Sequence, residues 1–285
     1  MLYVWIIFAS FLWGSNVLVM KYMLEYTSPF FLALLKVLLS LLVVGAMIKY
    51  KHIHFKHYSF KLTLLVSLLS ITINFILTFA GLNLISGSTN AIINSLAPLT
   101  TIILARIFFK QKITKNQILA VMIACFAFLL SIEFKITNLS LGHLLMVSGI
   151  IVYCFGNLLM QHHLDHNDNL PFTFDYLFYA FVQLVILNLI IPGNNQLNQI
   201  SVLLWLLFIA FSGIGFAIIQ IIYFQALHQI GSIKASFLLG LNPIFTYLGS
   251  LFLSEKFDWY RFLAMGLMLL AMIIANKQNK ISKSH

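Results

Sequence analysis

Runs of about twenty mostly apolar residues recur along the chain, each closed by charged or turn-forming residues. A helix rising 1.5 Å per residue needs about 20 apolar residues to cross a 30 Å hydrocarbon layer. Ten segments reach that length, near residues 2–20, 30–48, 62–82, 87–109, 115–133, 141–161, 172–191, 201–226, 232–253 and 258–276. Strands of a membrane barrel would be about ten residues long and would alternate apolar with polar positions; nothing here alternates. Several segments are punctuated by Gly or Ser, as expected where helices pack closely in lipid. The pattern predicts an all-α polytopic membrane protein with ten transmembrane helices.

Composition agrees. Of 285 residues, 61% are hydrophobic and only 8% charged, against about 25% charged in a soluble domain. The 17 Lys and Arg outweigh the 7 Asp and Glu. The basic residues sit between apolar runs, however, which points to membrane orientation and not to nucleic-acid binding. Cys125 and Cys154 both lie inside apolar segments, so neither a disulfide framework nor a thiolate metal site is expected. Residues 1–20 lack a basic leader and a small-residue cleavage site, and read as a retained first helix.

The basic residues also give the orientation. Lys49, Lys51, Lys56, Lys61, Arg106, Lys110, Lys112, Lys115, Lys234, Lys277, Lys280 and Lys283 fall on one side of a ten-helix alternation. The other side has Lys21, Lys135, Lys256 and Arg261. The richer side is cytoplasmic by the positive-inside rule, which puts both termini inside a cell (inner) membrane and the loop NNQLN, residues 194–198, outside.

The chain also repeats. Residues 82–98, LNLISGSTNAIINSLAP, align with residues 227–243, LHQIGSIKASFLLGLNP, with leucine and proline in identical register. Gly87, Ala91 and Ser95 then fall opposite Ser232, Ser236 and Gly240, so each helix carries a stripe of small residues ending just before a proline. Five helices per half is an odd number, so residues 1–136 and 137–277 enter the membrane with opposite polarity, followed by a basic cytoplasmic tail at 278–285. Such inverted repeats build alternating access around a midplane site in secondary transporters.

Local motifs add a resemblance. WGSN at residues 13–16, TSPFFLALLK at 27–36, Pro98, Pro243 and LSEKF at 253–257 together resemble the EamA-type family of the drug/metabolite transporter superfamily, over nearly the whole chain. The departures are Lys36 where an arginine is commoner in the family, Gln111 where the first half usually has a glutamate, and YCFGN at 153–157 as a loose echo of WGSN. The resemblance implies a central cavity walled by helices one, three, four, six, eight and nine. It also implies export of amino acids, other metabolites or toxic compounds; an uptake carrier for a metabolite is the alternative direction.

Candidate cavity residues follow from polar or helix-breaking chemistry inside apolar segments. Pro98 cannot donate to the carbonyl of Asn94, nor Pro243 to that of Leu239, and freed carbonyls at membrane depth need protein or a watery cavity to cover them. Asn94 and Asn242, beside these breaks, either satisfy those carbonyls or face a substrate. Asn16 and Asn157 each need a hydrogen-bond partner, either another helix or a ligand. Trp13, Tyr153, Tyr223 and Gln220 are further candidates for a pore lining, with simple packing as the alternative for each. Lys36, six residues into its helix, either snorkels to the headgroups or faces the bundle, where an Asn, a freed carbonyl or a substrate carboxylate must offset its insertion cost.

What is missing bears on mechanism. All seven acids fall in loops or near helix ends, so no midplane carboxylate offers itself for exchanging a proton with a cationic drug. A zwitterionic or neutral small-molecule substrate is expected over a lipophilic cation. The cluster QHHLDH, with His162, His163, Asp165 and His166, reads as an interfacial helix end, since no third metal ligand is pinned by spacing. The basic loop with His52, His54 and His57 suits anionic headgroups. No H-E-x-x-H, G-x-S-x-G or paired interior acids point to an enzyme, and no cofactor is called for. A structural or receptor role is the alternative of another class. Oligomeric state is left open, a monomer included.

Overall fold

The computed structural model describes residues 2–53, 59–163, 169–239, 241–253 and 255–276, and every regular element among them is helical. α1 (Leu2–Met23) and α2 (Pro29–Tyr50) come first. α3 (Phe60–Ser67) passes through a π-helical stretch, Leu68–Ile73, into α4 (Asn74–Leu84). α5 (Gly87–Asn94), α6 (Ala97–Phe109), α7 (Lys115–Ser131), α8 (Leu141–His163) and α9 (Asn169–Ile190) follow. α10 (Val202–Leu207) passes through a second π-helical stretch, Phe208–Ile214, into α11 (Gly215–Leu239), and α12 (Asn242–Phe252) and α13 (Trp259–Asn276) complete the chain.

Short polar side chains start several of these helices. Ser28 accepts the N–H of Phe31 at 3.3 Å with Pro29 just inside α2, and Thr114 with Gln117 forms a capping box on α7. Each satisfies amide donors that the helix itself leaves open. Six helices among the described residues are long and apolar enough to cross a membrane. Large apolar side chains such as Leu42, Met122, Leu189, Leu203, Phe252 and Ile273 stay exposed. So much exposed apolar surface suits lipid as the surrounding medium, and the chain is a multi-pass membrane protein.

Two apolar cores hold the bundle. The larger joins α1, α2, α4, α8, α9 and α11, with Met23, Leu32, Val44, Ile71, Leu158 and Ile219 fully enclosed. The smaller packs α7 on α13 through Ala120, Ala124 and Ala127 against Ala264, Met268 and Ala271, and the alanines let the two helices approach closely.

The helices depart from the hydropathy pattern in two places. α11 runs unbroken through positions 227–231, where a connection was expected; residues 226–230, Ala-Leu-His-Gln-Ile, contain no helix breaker. The second place is the prolines, each of which interrupts its segment while the backbone beside it stays right-handed helical, Ser95 at φ −64° and ψ −15°. α5 ends at Asn94 and α11 at Leu239, and each proline sits in the first turn of the next helix. The residues before the two new helices match closely: Leu96 has φ −73° and ψ −17°, Leu241 φ −76° and ψ −18°. Proline tolerates this position because its missing N–H would be unpaired there in any case.

One end of the bundle gathers several connections. Gln196 donates its backbone N–H to Tyr26 O at 2.8 Å, and Ser28 N donates to Asn195 Oδ1 at 2.9 Å. At the same end, Lys21 Nζ donates to Leu82 O at 3.0 Å and to Ile85 O. The side chains of Ser232, Ser236 and the QHHLDH histidines, and residues Gly240, His54 and His57, lie outside the described residues. Among the described residues no cluster of three metal-ligating side chains forms.

Candidate functional site

α1, α2, α4, α5, α6, α8, α11 and α12 line a cavity of about 90 Å³, room for several waters. Helical spacing aims the residues inward. Trp13, Asn16, Val17 and Met20 form one stripe of α1, and Asn74, Phe75, Thr78, Phe79 and Leu82 form one stripe of α4, each recurring every three or four residues. Asn94, Pro98 and Asn242 put the two helix breaks on the wall.

Lys36 faces the bundle. It is 2% exposed, and its Nζ lies 4.3 Å from the ring centroid of Phe216, 4.6 Å from Phe75 and 5.6 Å from Phe79. Phe75 and Phe79 stack at 5.0 Å, and Phe75 meets Phe216 at 5.4 Å. Ring faces attract a cation through their quadrupole, more strongly once water is excluded. Among the described residues lining this cavity Lys36 is the one charged group, and no acid joins it. The buried acid Asp175, 4% exposed on α9, is not on the wall.

The backbone places this cage. Ser40, one turn beyond Lys36, sits with its Oγ 2.9 Å from the carbonyls of both Lys36 and Gly213. Gly213 belongs to the second π-helical stretch, where local widening leaves carbonyls outside the ordinary helical ladder. A β-carbon at Gly213 would stand 2.9 Å from Leu39 Cβ, so glycine permits the approach that brings Phe216 over Lys36. Beside Phe75 on α4, Asn74 Nδ2 donates to Gly149 O at 2.9 Å and ties α4 to α8.

The remaining polar lining is amide and phenol. Asn94 Nδ2 donates to Asn90 O at 3.0 Å and to Asn90 Oδ1 at 2.8 Å; it is therefore turned to its own helix and not to the carbonyl that Pro98 frees. Asn16 Oδ1 and Asn90 Nδ2 are buried without a hydrogen-bond partner. Buried polar atoms are nearly always paired, so these two are open positions for a ligand or water. Trp13 meets Tyr153 edge-on at 6.0 Å, and Tyr153 stacks on Tyr223 at 6.5 Å.

Of the residues expected from sequence, Trp13, Asn16, Lys36, Asn94, Pro98, Tyr153, Tyr223 and Asn242 come together around this cavity. Asn157, Pro243 and Gln220 do not line it. Asn157 is buried one turn beyond Tyr153 with its Nδ2 unpaired, Pro243 is enclosed in the first turn of α12, and Gln220 is 2% exposed on α11. The expected helix list omitted the second helix, which enters through Lys36. The three cage phenylalanines, Asn74 and Asn90 were not foreseen; i, i+4 spacing of Phe75 and Phe79 was the one available signal.

The end near Lys21 is tied together. The Glu255 carboxylate accepts Gly87 N at 2.6 Å, Ser88 N at 3.1 Å and Ser88 Oγ at 2.6 Å. An Arg261 guanidinium N–H donates to Ser86 Oγ at 3.2 Å and to Ser88 Oγ at 3.1 Å. Leu82 lines the cavity while its carbonyl holds Lys21.

Comparison with known proteins gives three findings. The profile of the EamA-like transporter family matches residues 1–132 and 140–277. The chain is 27% identical over 214 residues to the "Uncharacterized transporter YyaM" of Bacillus subtilis (strain 168), covering 73% of this chain and 70% of that protein. A solved structure described as "Crystal structure of protein" shares its fold, with a TM-score of 0.70 over 95% of both chains at 11% identity.

Proposed function

The chain belongs to the EamA-like transporter family and is a membrane transporter, and we propose that it exports small metabolites, the range of amino acids and related compounds, by alternating access. Substrate occupies the cavity around Lys36, bounded by Trp13, Asn16, Asn94, Pro98, Tyr223 and Asn242, with Asn157 and Pro243 supporting its walls. Ten spans in two inverted halves rock about this site in the inner membrane, with both termini cytoplasmic.

The observation that carries this reading is the cavity within the bundle, lined at two proline-interrupted segments of similar local backbone and by a single buried ammonium. The near-identical backbone at Leu96 and Leu241 supports the internal repeat. The gathering of residues 21–28, 82–88, 195–196 and 255–261 at one end supports the ten-span alternation. Broken helices with free backbone groups at the repeat interface are how carriers bind at the midplane.

Reconstitution tests it. Liposomes loaded with a defined mixture of amino acids and their derivatives should lose particular members through the purified protein, read by mass spectrometry of the external medium. Retention of every solute, with folded protein in the bilayer, would remove the transport reading of this cavity.

A further inference from the structure

The range proposed above includes zwitterionic amino acids and other small metabolites, and the charge of the cavity narrows it. We infer that this site takes a monocarboxylate with an apolar body, its carboxylate pairing with Lys36 inside the cage of Phe75, Phe79 and Phe216. The inference rests on the proposal above only in taking this cavity as the substrate site.

Charge decides among substrate classes. Ring faces at 4.3, 4.6 and 5.6 Å stabilise an ammonium without neutralising it. A buried charge left uncompensated is costly, and removing its counter-charge costs more than never having had it. Among the described residues the wall contributes one cation and no anion. A monocarboxylate therefore brings the filled cavity to zero net charge. A zwitterion leaves it at +1, and an organic amine raises it to +2. An ammonium on the substrate would find neutral amides where it needs a carboxylate.

The rest of the lining fits the same substrate. Asn90 Nδ2, an unpaired buried donor, suits the second oxygen of a carboxylate. Asn16 Oδ1, an unpaired acceptor, is enough for a hydroxyl or amide N–H on the body, and falls short for a full positive charge. Val17, Met20, Leu82, Met146 and Ile150 provide an apolar surface for the remainder, as pockets for small ligands generally do around a few convergent polar groups.

The test uses four probes sharing one phenyl body: phenylacetate, phenylacetamide, L-phenylalanine and phenethylamine. Binding of radiolabelled phenylacetate to the full-length protein in lipid nanodiscs is measured, then competed with the other three. We expect saturable phenylacetate binding at least about tenfold tighter than that of the amide, the amino acid or the amine. Lys36→Met should reduce phenylacetate to the level of the amide, while Lys36→Arg keeps the preference for the anion. Absence of saturable phenylacetate binding, equal or tighter binding of L-phenylalanine, or an unchanged preference in Lys36→Met would each overturn the inference. If Lys36→Met does not fold, the ranking of the four probes on the wild type decides alone. Phenylacetate binding without any solute movement in liposomes would remove the transport reading and leave this one standing; solute movement without phenylacetate binding would do the reverse.

Discussion

Glu255, in the connection after α12, accepts the backbone N–H of Gly87 at 2.6 Å across 168 positions of chain. The carboxylate thus caps the start of α5, where the amide groups and helix dipole favour a negative charge. Lys21 on α1 and Arg261 on α13 stand beside the same turn. One carboxylate therefore ties the second half of the chain to the first, one helical turn from Asn90 on the cavity wall. In the register that sets Pro98 opposite Pro243, Glu255 falls opposite Lys110, and Gln111 stands one residue further along, so the first half has no matching carboxylate.

Replacing Glu255 with alanine should loosen this end. Loss of a helix cap costs about 0.5–2 kcal/mol, so a modest fall in thermal stability is expected. A cysteine placed at Asn16, in a background lacking Cys125 and Cys154, should then react faster with an impermeant thiol reagent added from the side of the 194–198 loop. Unchanged labelling would mean that the Glu255 contact does not seal the cavity.

Lys36→Met should insert normally, since it removes a charge from an apolar helix, yet transport poorly. Hydrogen bonds to charged groups contribute about 1.5–3 kcal/mol, so substrate half-saturation should weaken by about ten- to a hundredfold. Lys36→Arg should retain much of the activity. Full transport by Lys36→Met in liposomes would show that the ammonium does not touch the substrate.

Much of this site was legible before any coordinates, and the reason is chemical. Lys36, Asn16 and Asn94 are polar groups inside apolar runs, and an expensive residue stands out in a pattern chosen for oil. Pro98 and Pro243 stand out because each breaks a helix at a matched place. The cage is different. Three of 27 phenylalanines surround the ammonium, and all 27 look alike to a hydropathy pattern. The two π-helical stretches, which lie against α8 and α2 just before Phe75 and Phe216, show no distinct pattern of hydrophobic and polar positions. The alanine seam of α7 on α13 was hidden for a related reason: small residues in lipid read as ordinary helix until a partner is known.

The connections make the topology testable. Gln196 bonds to Tyr26 and Asn195 to Ser28, so the 194–198 loop and the turn after α1 share one end of the bundle. Single cysteines in NNQLN and in the tail after residue 277 should be labelled by an impermeant reagent from opposite faces of the membrane. Labelling from the same face would end the ten-span reading.

The last prediction concerns how the cage is held. Gly213 lets the second π-helical stretch lie against α2, and a β-carbon there would meet Leu39 Cβ at 2.9 Å and Cδ1 at 3.1 Å. Overpacking of this kind typically costs about 1–3 kcal/mol. Gly213→Ala should therefore push Phe208–Ile214 away from α2, draw Phe216 off Lys36 and lower both folded yield and transport. If the clash with Leu39 is the cause, Leu39→Ala in the same chain should recover part of both losses, because neighbours in contact do not act additively. Ser40→Ala probes the same junction from the other side: it removes the hydroxyl shared by the Lys36 and Gly213 carbonyls and should lower transport with little change in yield. A Gly213→Ala defect that Leu39→Ala leaves untouched would show that the glycine serves the π-helical backbone itself and not the approach of α2.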